Sequence, residues 1–388
     1  MTHYADLVIV GGGPVGAALA LAAQAQGRDV LALEARGAEA AALVEVDERP
    51  LALSHGTRLI LERLGVWQDI PQATPIERIH VSQTRAFGRV QLEARDTGLP
   101  AYGYVVPYSD LLRAITRAAR ARVPRYVLGA RAIAIRPDPN AAEVDFVREA
   151  GASETASAPL VVVADGGGLV AGAEILTHDY AQTAVTARVS TTVSHGGTAY
   201  ERFTATGPLA LLPFGADVAL VWTTTPERAA ELAGLPDARF LAALQAEFGD
   251  RLGRFTGVRT RAVYPLTLKY AREAVLPRTV LIGNAAQTLH PVAGQGFNLG
   301  LRDAWELGEI IAGSEPEWLG QDSMLARMRS RRRIDRIASI RFTDFLVRLF
   351  SNDVPPVRLA RGLGLAALDA VPFAKNFLAR RMTFGVRG

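Results

Sequence analysis

Short apolar runs that end at a glycine or an acid recur along the chain and predict buried strands. The first run covers residues 6–10, and the alanine- and leucine-rich stretch that follows it to about residue 26 predicts a helix. A second run covers residues 29–33 and ends at Glu34. Further runs that predict strands lie at 127–135, 144–147, 160–164 and 280–282. Strands that alternate with helices in this way are typical of an α/β fold.

The turn between the first strand and the first helix carries a dinucleotide-binding pattern. It reads Gly-x-Gly-x-x-Gly, formed by Gly11, Gly13 and Gly16. The first glycine permits the tight turn, the second lets the backbone approach a pyrophosphate, and the third lets the helix pack closely on the strand. Glu34 follows Gly16 by 18 residues and can accept the ribose hydroxyls. This pattern does not separate NAD from FAD, and a glycine-rich turn without a ligand is the alternative.

A second glycine-rich stretch follows the apolar run at 280–282. Gly283 and Asn284 end that run, and a loop with Gly294 and Gly296 leads to a helix for which Asn298 is the predicted N-cap. Backbone N–H groups at a helix N-terminus can face the electron-rich atoms of a ligand. We therefore expect a second wall of a ligand site here, with an ordinary strand–helix turn as the alternative.

The middle of the chain is rich in predicted strands, and its end is helical. Strands are predicted within 76–91 and at 180–190, 218–223 and 261–268, and helices at 109–121 and 226–248. Arginines crowd residues 327–341, where apolar residues recur at helical spacing beside them. These helices either pack on the core with a solvated arginine face or lie on a membrane with a basic amphipathic surface.

Composition narrows the choice of chemistry. The chain has 388 residues, of which 49% are hydrophobic and 21% charged, as in globular proteins. It has no cysteine, which excludes disulfides, thiol catalysis and cysteine-held metal clusters. The net charge of +4 is compatible with an anionic membrane surface but is too small to argue for one.

The sequence shows no pattern typical of membrane insertion, export, metal binding, serine catalysis or nucleic-acid binding. No apolar run reaches the length of a membrane-spanning helix, and no export signal precedes the first strand, so we expect a cytoplasmic protein. The six histidines form no pair at metal-ligand spacing, no Gly-x-Ser-x-Gly elbow occurs, and no nucleic-acid module is recognised. We therefore expect no metal ion and no nucleic-acid partner.

Three long motifs resemble one enzyme family. Residues 283–303 read GNAAQTLHPVAGQGFNLGLRD and resemble the second flavin-contacting motif of the aromatic-ring FAD monooxygenases, above all the ubiquinone-biosynthesis hydroxylases of the UbiH/UbiF/UbiI group. Residues 49–67 (RPLALSHGTRLILERLGVW) and 195–204 (HGGTAYERFT) resemble the same group. Most of the superfamily has Gly-Asp where this chain has Gly283-Asn284, and the asparagine form is similar to the UbiH branch. The resemblance covers nearly the whole chain.

The resemblance implies a fold and a reaction. The fold is that of class A flavoprotein monooxygenases: a Rossmann-like FAD-binding domain (1–74, 103–178 and 270–350), an inserted β-rich substrate domain (75–102 and 179–269) and a helical C-terminal tail (351–388). The implied reaction uses FAD, NAD(P)H and O₂ to hydroxylate a polyprenylated methoxyphenol in ubiquinone biosynthesis. The oxidant in the family is a flavin C4a-hydroperoxide, which a dry site must protect.

The same resemblance assigns the site residues. The flavin-ring loop would comprise Pro291, Gly294, Gln295 and Gly296, with His290 beside it. Asn284 would reach the ribityl chain through its side-chain oxygen. The residues predicted to bind the cofactor are Gly11, Gly13, Gly16, Glu34, Arg36, Arg49, Asp165, Gly166, Gly283, Asn284, Gly294, Gly296 and Asn298.

One motif departs from the family. Relatives continue Asp165-Gly166 as Asp-Gly-x-x-Ser-x-x-Arg, but here Leu169 replaces the serine and Gly172 replaces the arginine. The usual handling of NAD(P)H is therefore not implied by this chain. Two alternatives stay open: an FAD-dependent prenyl-lipid oxidoreductase that does not use O₂, and a non-catalytic subunit of a ubiquinone-biosynthesis assembly. Peripheral contact with the inner membrane, which would carry the lipid substrate, is a further expectation.

Overall fold

A mainly parallel six-stranded sheet, in the strand order β19-β20-β13-β2-β3-β9, forms the centre of the fold. The computed structural model describes residues 1–37, 48–84, 86–149, 151–167, 169, 172–290, 294–350 and 354–385. In chain order the strands of this sheet are β2 (Leu7–Val10), β3 (Val30–Glu34), β9 (Arg125–Leu128), β13 (Leu160–Val163), β19 (Val275–Leu276) and β20 (Thr279–Leu281). Only β19 runs antiparallel to its neighbour.

Both faces of the central sheet are covered, which explains its continuous apolar runs. In β2, Leu7 and Ile9 pack among the helices, whereas Val8 and Val10 pack on a second sheet. The described helices are α1 (Pro14–Gln24), α2 (His55–Arg63), α3 (Tyr108–Arg122), α4 (Pro226–Gly234), α5 (Asp237–Phe248), α6 (Gln295–Ala312), α7 (Asp322–Phe350), α8 (Pro355–Ala370) and α9 (Pro372–Phe384). Of these, α1, α3 and α6 lie on the first face.

The second sheet has the order β1-β12-β11-β10 and corrects one sequence prediction. Its strands are β1 (Thr2–Tyr4), β10 (Ala130–Pro137), β11 (Ala142–Arg148) and β12 (Ser153–Ala158). The run at 127–135 is not a single strand, because Gly129 adopts a φ of +68° and separates β9 from β10. Strand β12 had no apolar signal, since its sequence is SETASA.

An eight-stranded sheet contains the β-rich middle of the chain, in the order β21-β18-β14-β17-β16-β15-β6-β7. Its strands are β6 (Arg78–Gln83), β7 (Arg89–Glu93), β14 (Ile175–Thr191), β15 (Thr198–Phe203), β16 (Pro208–Phe214), β17 (Asp217–Thr224), β18 (Phe255–Ala271) and β21 (Gln287–Thr288). The predictions at 180–190 and 261–268 found only the centres of β14 and β18, which have 17 residues each. Helices α4 and α5 cover one face of this sheet.

A small three-stranded sheet and the C-terminal helices complete the fold. The small sheet has the order β4-β8-β5, with β4 (Pro50–Ser54), β5 (Thr74–Ile76) and β8 (Gly103–Pro107). Helix α8 packs on β7, and α9 packs on α2 and α8, so the end of the chain contacts both β-rich and cofactor-side elements. Within the described ranges, no helix is long and apolar enough to cross a membrane. The domain limits expected from the sequence stay a prediction.

Candidate active site

A cavity of about 980 Å³ opens where β2, β3 and β13 end. Ligands of open α/β sheets bind beyond the carboxyl ends of the strands, and this volume lies at the upper end of the usual range for cofactor sites, about 300–1,000 Å³. The cavity contacts most of the residues predicted to bind a cofactor: Gly11, Gly13, Glu34, Arg36, Arg49, Asp165, Gly166, Gly283, Asn284 and Gly296. Gly16, Gly294 and Asn298 lie beside it without lining it.

The turn from β2 to α1 is shaped by backbone packing. Gly11 has a φ of +101°, and a Cβ on it would lie 2.6 Å from the Ala164 carbonyl carbon. A Cβ on Gly16 would overlap the Gly11 carbonyl oxygen. At Gly13, by contrast, no atom of the part of the chain that the structure describes lies within 4 Å of a Cβ position, so the backbone faces the cavity. The N-terminus of α1, which begins at Pro14, therefore offers bare N–H groups to an anion.

Glu34 and Arg36 form the wall at the end of β3. The Glu34 Oε1 accepts hydrogen bonds from the Arg36 backbone nitrogen at 3.0 Å and from its Nε at 2.7 Å. That hydrogen bond raises the pKa of Arg36 against the opposing effect of burial. A carboxylate held at this place suits ribose hydroxyls, as the sequence pattern predicts.

Tyr126 supports the same wall and has no signal in the motif. Its hydroxyl donates a hydrogen bond to the Gly12 carbonyl oxygen, and its ring leaves no room for a side chain at Gly12. Burial, reinforced by the Glu34 carboxylate, raises the pKa of Tyr126. Because Tyr126 comes from β9, more than a hundred residues away, only the folded sheet reveals this contact.

Asp165 and Gly166 form the turn after β13. The two carboxylate oxygens of Asp165 accept from the backbone nitrogens of Gly167 at 2.9 Å and Leu169 at 3.2 Å. Asp165 thus holds its own loop, and Gly166, with a φ of +89°, lets the backbone turn at the cavity. The two positions at which this chain departs from the family motif, Leu169 and Gly172, come next along the chain.

Gly283 and Asn284 form the facing turn, directly after β20. Gly283 has a φ of +59°, and a Cβ on Gly300 of α6 would lie 2.8 Å from the Gly283 Cα. Helix and turn therefore touch through glycine. Asn284 is exposed and faces the cavity, which suits the predicted hydrogen bond to a ribityl hydroxyl.

A buried ion network holds this second turn from behind. Asp303 accepts from the Gly283 backbone nitrogen at 3.4 Å and from the Gln287 Nε2 at 2.7 Å. The other oxygen of Asp303 accepts from the Arg332 Nε of α7 at 2.6 Å. Arg332 also contacts Glu306 at 3.0 Å and Asp335 at 2.7 Å. The network links the Gly283–Asn284 turn to α7, a helix that lies outside all three family motifs.

The charges of this network are mutually compensated. Burial opposes ionisation of Asp335, but Arg302 and Arg332 outweigh it and lower the pKa of that carboxyl. Arg332 is buried, which acts to lower its pKa, but Asp303, Asp335 and Glu306 raise it. The expectation of a solvated arginine face on this helix is therefore wrong for Arg332.

The predicted flavin-ring loop is described in part. Pro291 lies outside the described residues. Gly294 is the N-cap of α6. Gly296 lines the cavity, and among the described residues Leu289 alone lies near its Cβ position, at 4.0 Å. Gln295 is buried and donates to the Met382 carbonyl oxygen of α9 at 3.5 Å, so it contacts the C-terminal helix rather than the cavity.

Asn298 is not the N-cap, because α6 begins three residues earlier at Gln295. Its Oδ1 accepts from the Ser54 nitrogen at 2.8 Å and the Thr57 hydroxyl at 2.7 Å. Its Nδ2 donates to the carbonyl oxygens of Ala52 at 2.9 Å and Gly294 at 2.6 Å. Asn298 therefore ties the loop to β4 and α2, and its side chain is engaged by protein groups.

His290 is buried and lies behind the cavity. The Tyr180 ring meets it edge-on, with ring centroids 5.3 Å apart. Burial lowers the pKa of His290 to about 4, so its imidazole is neutral at physiological pH. This buried position suits packing on Tyr180 rather than direct contact with a bound ring.

Several cavity residues were not found from the sequence. The Tyr108 ring stacks under the Arg49 guanidinium at 4.9 Å, and both line the cavity. Further unpredicted lining side chains include Arg131 of β10, Thr288 of β21, Leu289 directly after it and Phe297 near the start of α6. Tyr108 follows β8 directly, and the end of that strand was the one local signal that could have indicated it.

The residues present fit a bound FAD. A bare helix N-terminus and an unobstructed Gly13 suit a pyrophosphate, Glu34 suits a ribose, and the Gly283–Asn284 turn lies across the same cavity. Among the residues that the structure describes, no group of three His, Asp or Glu side chains could hold a metal ion. The fold and the site together define an FAD-binding flavoprotein.

Comparisons with known proteins agree with this class. The family described as an FAD binding domain matches residues 4–338. The chain is 36% identical to the ubiquinone hydroxylase UbiL of Rhodospirillum rubrum, over 97% of this chain and 89% of that protein. It is 33% identical to the 3-demethoxyubiquinol 3-hydroxylase of Escherichia coli, over 96% of each.

A solved structure shows the same fold. The p-nitrophenol 4-monooxygenase PnpA of Pseudomonas putida superposes with a TM-score of 0.72 at 18% identity, over all of this chain and 99% of that one. The chain belongs to the FAD-binding monooxygenase family, in the group that contains the ubiquinone hydroxylases. It is an FAD-dependent monooxygenase, as the resemblance implied.

Proposed function

We propose that this enzyme hydroxylates a polyprenylated methoxyphenol on the route to ubiquinone, with NAD(P)H and O₂ as co-substrates. The observation that carries the proposal is the pair of turns, Gly11–Gly16 and Gly283–Asn284, that face one cavity. The names of the hydroxylase relatives support the substrate class. Bound FAD would supply the oxidation–reduction chemistry between NAD(P)H, O₂ and the phenol.

The chain's own residues would bind and orient that cofactor. Backbone N–H groups at Gly13 and at the start of α1 would face the pyrophosphate, and Glu34 the ribose. Asn284 would accept from a ribityl hydroxyl, and Gly296 would let the backbone approach the flavin ring. Leu289 and Phe297 would exclude water beside it.

Oxygen transfer is the step that separates this proposal from its alternative. The purified protein is mixed with a prenylated methoxyphenol, NAD(P)H and ¹⁸O₂, and the mass of the product is measured by mass spectrometry. The proposal expects one ¹⁸O atom in the ring of the product, and fragmentation assigns the ring position. Substrate oxidation without ¹⁸O incorporation would favour the prenyl-lipid oxidoreductase instead.

The C-terminal helices carry the proposed membrane contact. Phe373 is 82% exposed and Phe377 59% exposed on α9, near the exposed arginines Arg380 and Arg381. Apolar side chains beside basic ones suit the surface of an anionic bilayer, where a polyprenyl substrate resides. The double change Phe373→Ser with Phe377→Ser should weaken sedimentation with anionic vesicles. Trp318→Ser is the control, because Trp318 is an aromatic residue elsewhere on the surface that is 54% exposed, and equal partitioning of both variants would contradict the contact.

A further inference from the structure

A second cavity, of about 610 Å³, lies at the far edge of the eight-stranded sheet. It is bounded by β6, the start of β7, β15 and α8. None of the residues that line it also lines the first cavity, at the ends of β2, β3 and β13, which we call the flavin-side cavity. Three arginines converge on it from separate elements: Arg89 from β7, Arg202 from β15 and Arg251 from the loop after α5. The hydroxylation described above makes no use of this place.

The positive charge at the cavity exceeds the negative charge. Arg202 is half-buried, and burial together with the neighbouring Arg251 lowers its pKa, which Glu247 only partly offsets. Its Nε contacts an uncharged group, the Thr84 hydroxyl, at 3.3 Å. Asp369, the one acid that lines the cavity within the described chain, already accepts from the Gln91 nitrogen at 3.1 Å and from Lys375 at 3.3 Å.

His80 and Gln83 of β6 line the floor of the cavity. His80 is only 4% exposed, and neither its Nε2 nor the Gln83 Oε1 has a hydrogen-bond partner within the described ranges. Burial, reinforced by Arg251, lowers the pKa of His80 to about 4, so the imidazole is neutral and can present one N–H. Buried polar atoms are almost always satisfied, so unmatched ones at the base of a cavity point to a ligand.

We propose that this cavity binds the phosphate group of a phosphate ester, held by Arg202 and Arg251 with Arg89 at the rim and the neutral His80 at the floor. Guanidinium groups match phosphate oxygens in pairs, and a dianion relieves the repulsion between two neighbouring arginines. The volume exceeds that of one phosphate group, which leaves room for the organic part of the ester.

Two sources of such a phosphate are compatible with the surroundings. Ala366 and Ala370 line the cavity and share one face of α8 with the exposed Leu359 and Leu363, since these positions follow helical spacing. An apolar stripe beside a cationic cavity suits a phospholipid headgroup. A free ester such as a nucleotide offers the same phosphate chemistry without the stripe.

Calorimetry of the FAD-loaded full-length chain with inorganic pyrophosphate tests the site. Arg251→Gln and Arg89→Gln should each weaken binding by about tenfold or more, as expected for a lost charged hydrogen bond. Arg254→Gln is the matched control, because Arg254 is exposed in the same loop but does not line the cavity. Its affinity should stay close to that of the unchanged protein.

Vesicles distinguish the two sources. If a lipid supplies the phosphate, phosphatidic acid in phosphatidylcholine vesicles strengthens binding beyond the contribution of α9, and Arg251→Gln weakens this binding while Arg254→Gln leaves it unchanged. If a free ester supplies it, the arginine-dependent binding is seen with pyrophosphate and not with vesicles. The proposal is overturned if neither probe binds, or if Arg251→Gln and Arg254→Gln bind both probes equally well.

Discussion

Two turns face each other across the flavin-side cavity, and they are held by different forces. The Gly11–Gly16 turn is fixed by backbone packed on backbone, where a side chain at Gly11 or Gly16 would collide. The Gly283–Asn284 turn is instead hydrogen-bonded to Asp303, which a buried arginine of α7 compensates. One turn is therefore defined by local shape, and the other depends on a charge brought from a distant helix.

The largest expected effect comes from filling the first turn. Gly16→Ala should remove FAD binding and most of the folded protein, because the new Cβ would lie on the Gly11 carbonyl oxygen. This backbone overlap should cost more than ordinary core overpacking, which costs roughly 1–3 kcal/mol, because the turn itself would have to move. Gly13→Val should fold with a near-normal melting temperature but lose FAD, since its side chain enters open space in the cavity. Calorimetry and flavin absorbance measure both, and a Gly13→Val protein that retains FAD would contradict the pyrophosphate assignment.

Removing a charge from the buried ion network should destabilise the second turn. Arg332→Met leaves Asp303 and Asp335 buried without their cation, which should cost about 3–5 kcal/mol of unfolding free energy in urea titrations. Arg331→Met removes a neighbouring arginine whose ion pair with Glu309 is partly exposed, and should cost less than about 1 kcal/mol. Equal losses in the two variants would rule out the network as the support of the turn.

The region of the second turn should also respond to pH. The folded-state pKa of His290 is about 4, below its ordinary value of 6.5, so the unfolded chain binds more protons between these values. Stability should therefore fall as the pH drops from 6.5 to 4, with a His290 contribution of at most roughly 3 kcal/mol. Urea titrations across this range should give a flatter profile for His290→Gln, and an unchanged slope would assign the pH response to other groups.

The smallest expected effect on stability is at Gly296. Among the described residues, the nearest atoms to its Cβ position belong to Leu289, at 4.0 Å, so Gly296→Leu should cost under about 1 kcal/mol. Its side chain would nevertheless enter the cavity, so the hydroxylation rate should drop strongly. Gly364→Leu is the control for folding, because this helical glycine has no described atom within 4 Å of its Cβ position. A normal rate in Gly296→Leu would remove this residue from the flavin-side wall.

The sequence predicted what depends on neighbours along the chain. The β2–α1 turn, Glu34 at the end of β3 and the turns after β13 and β20 all lie where their patterns placed them. The alternation of strand and helix was sufficient for the parallel sheet. Gly129 divided one predicted strand, because a glycine with positive φ inside an apolar run leaves the hydrophobic pattern unchanged.

The remaining features depend on contacts between distant residues. Nothing beside Arg332 in the chain distinguishes it from its arginine neighbours, and only the packing of α7 on α6 buries it against Asp303. Asparagine is a preferred N-cap residue, but Ser54 and Thr57 from other elements hydrogen-bond to the Asn298 side chain instead. The second cavity is likewise lined by single arginines that come from separate strands and a loop.

The most direct measurement is the visible absorption spectrum of the purified protein, followed by addition of NAD(P)H with and without a prenylated methoxyphenol. The account predicts a yellow protein with stoichiometric FAD, whose NAD(P)H oxidation in air accelerates when the phenol is present. A colourless protein that takes up no FAD on reconstitution would contradict the assignment of both turns.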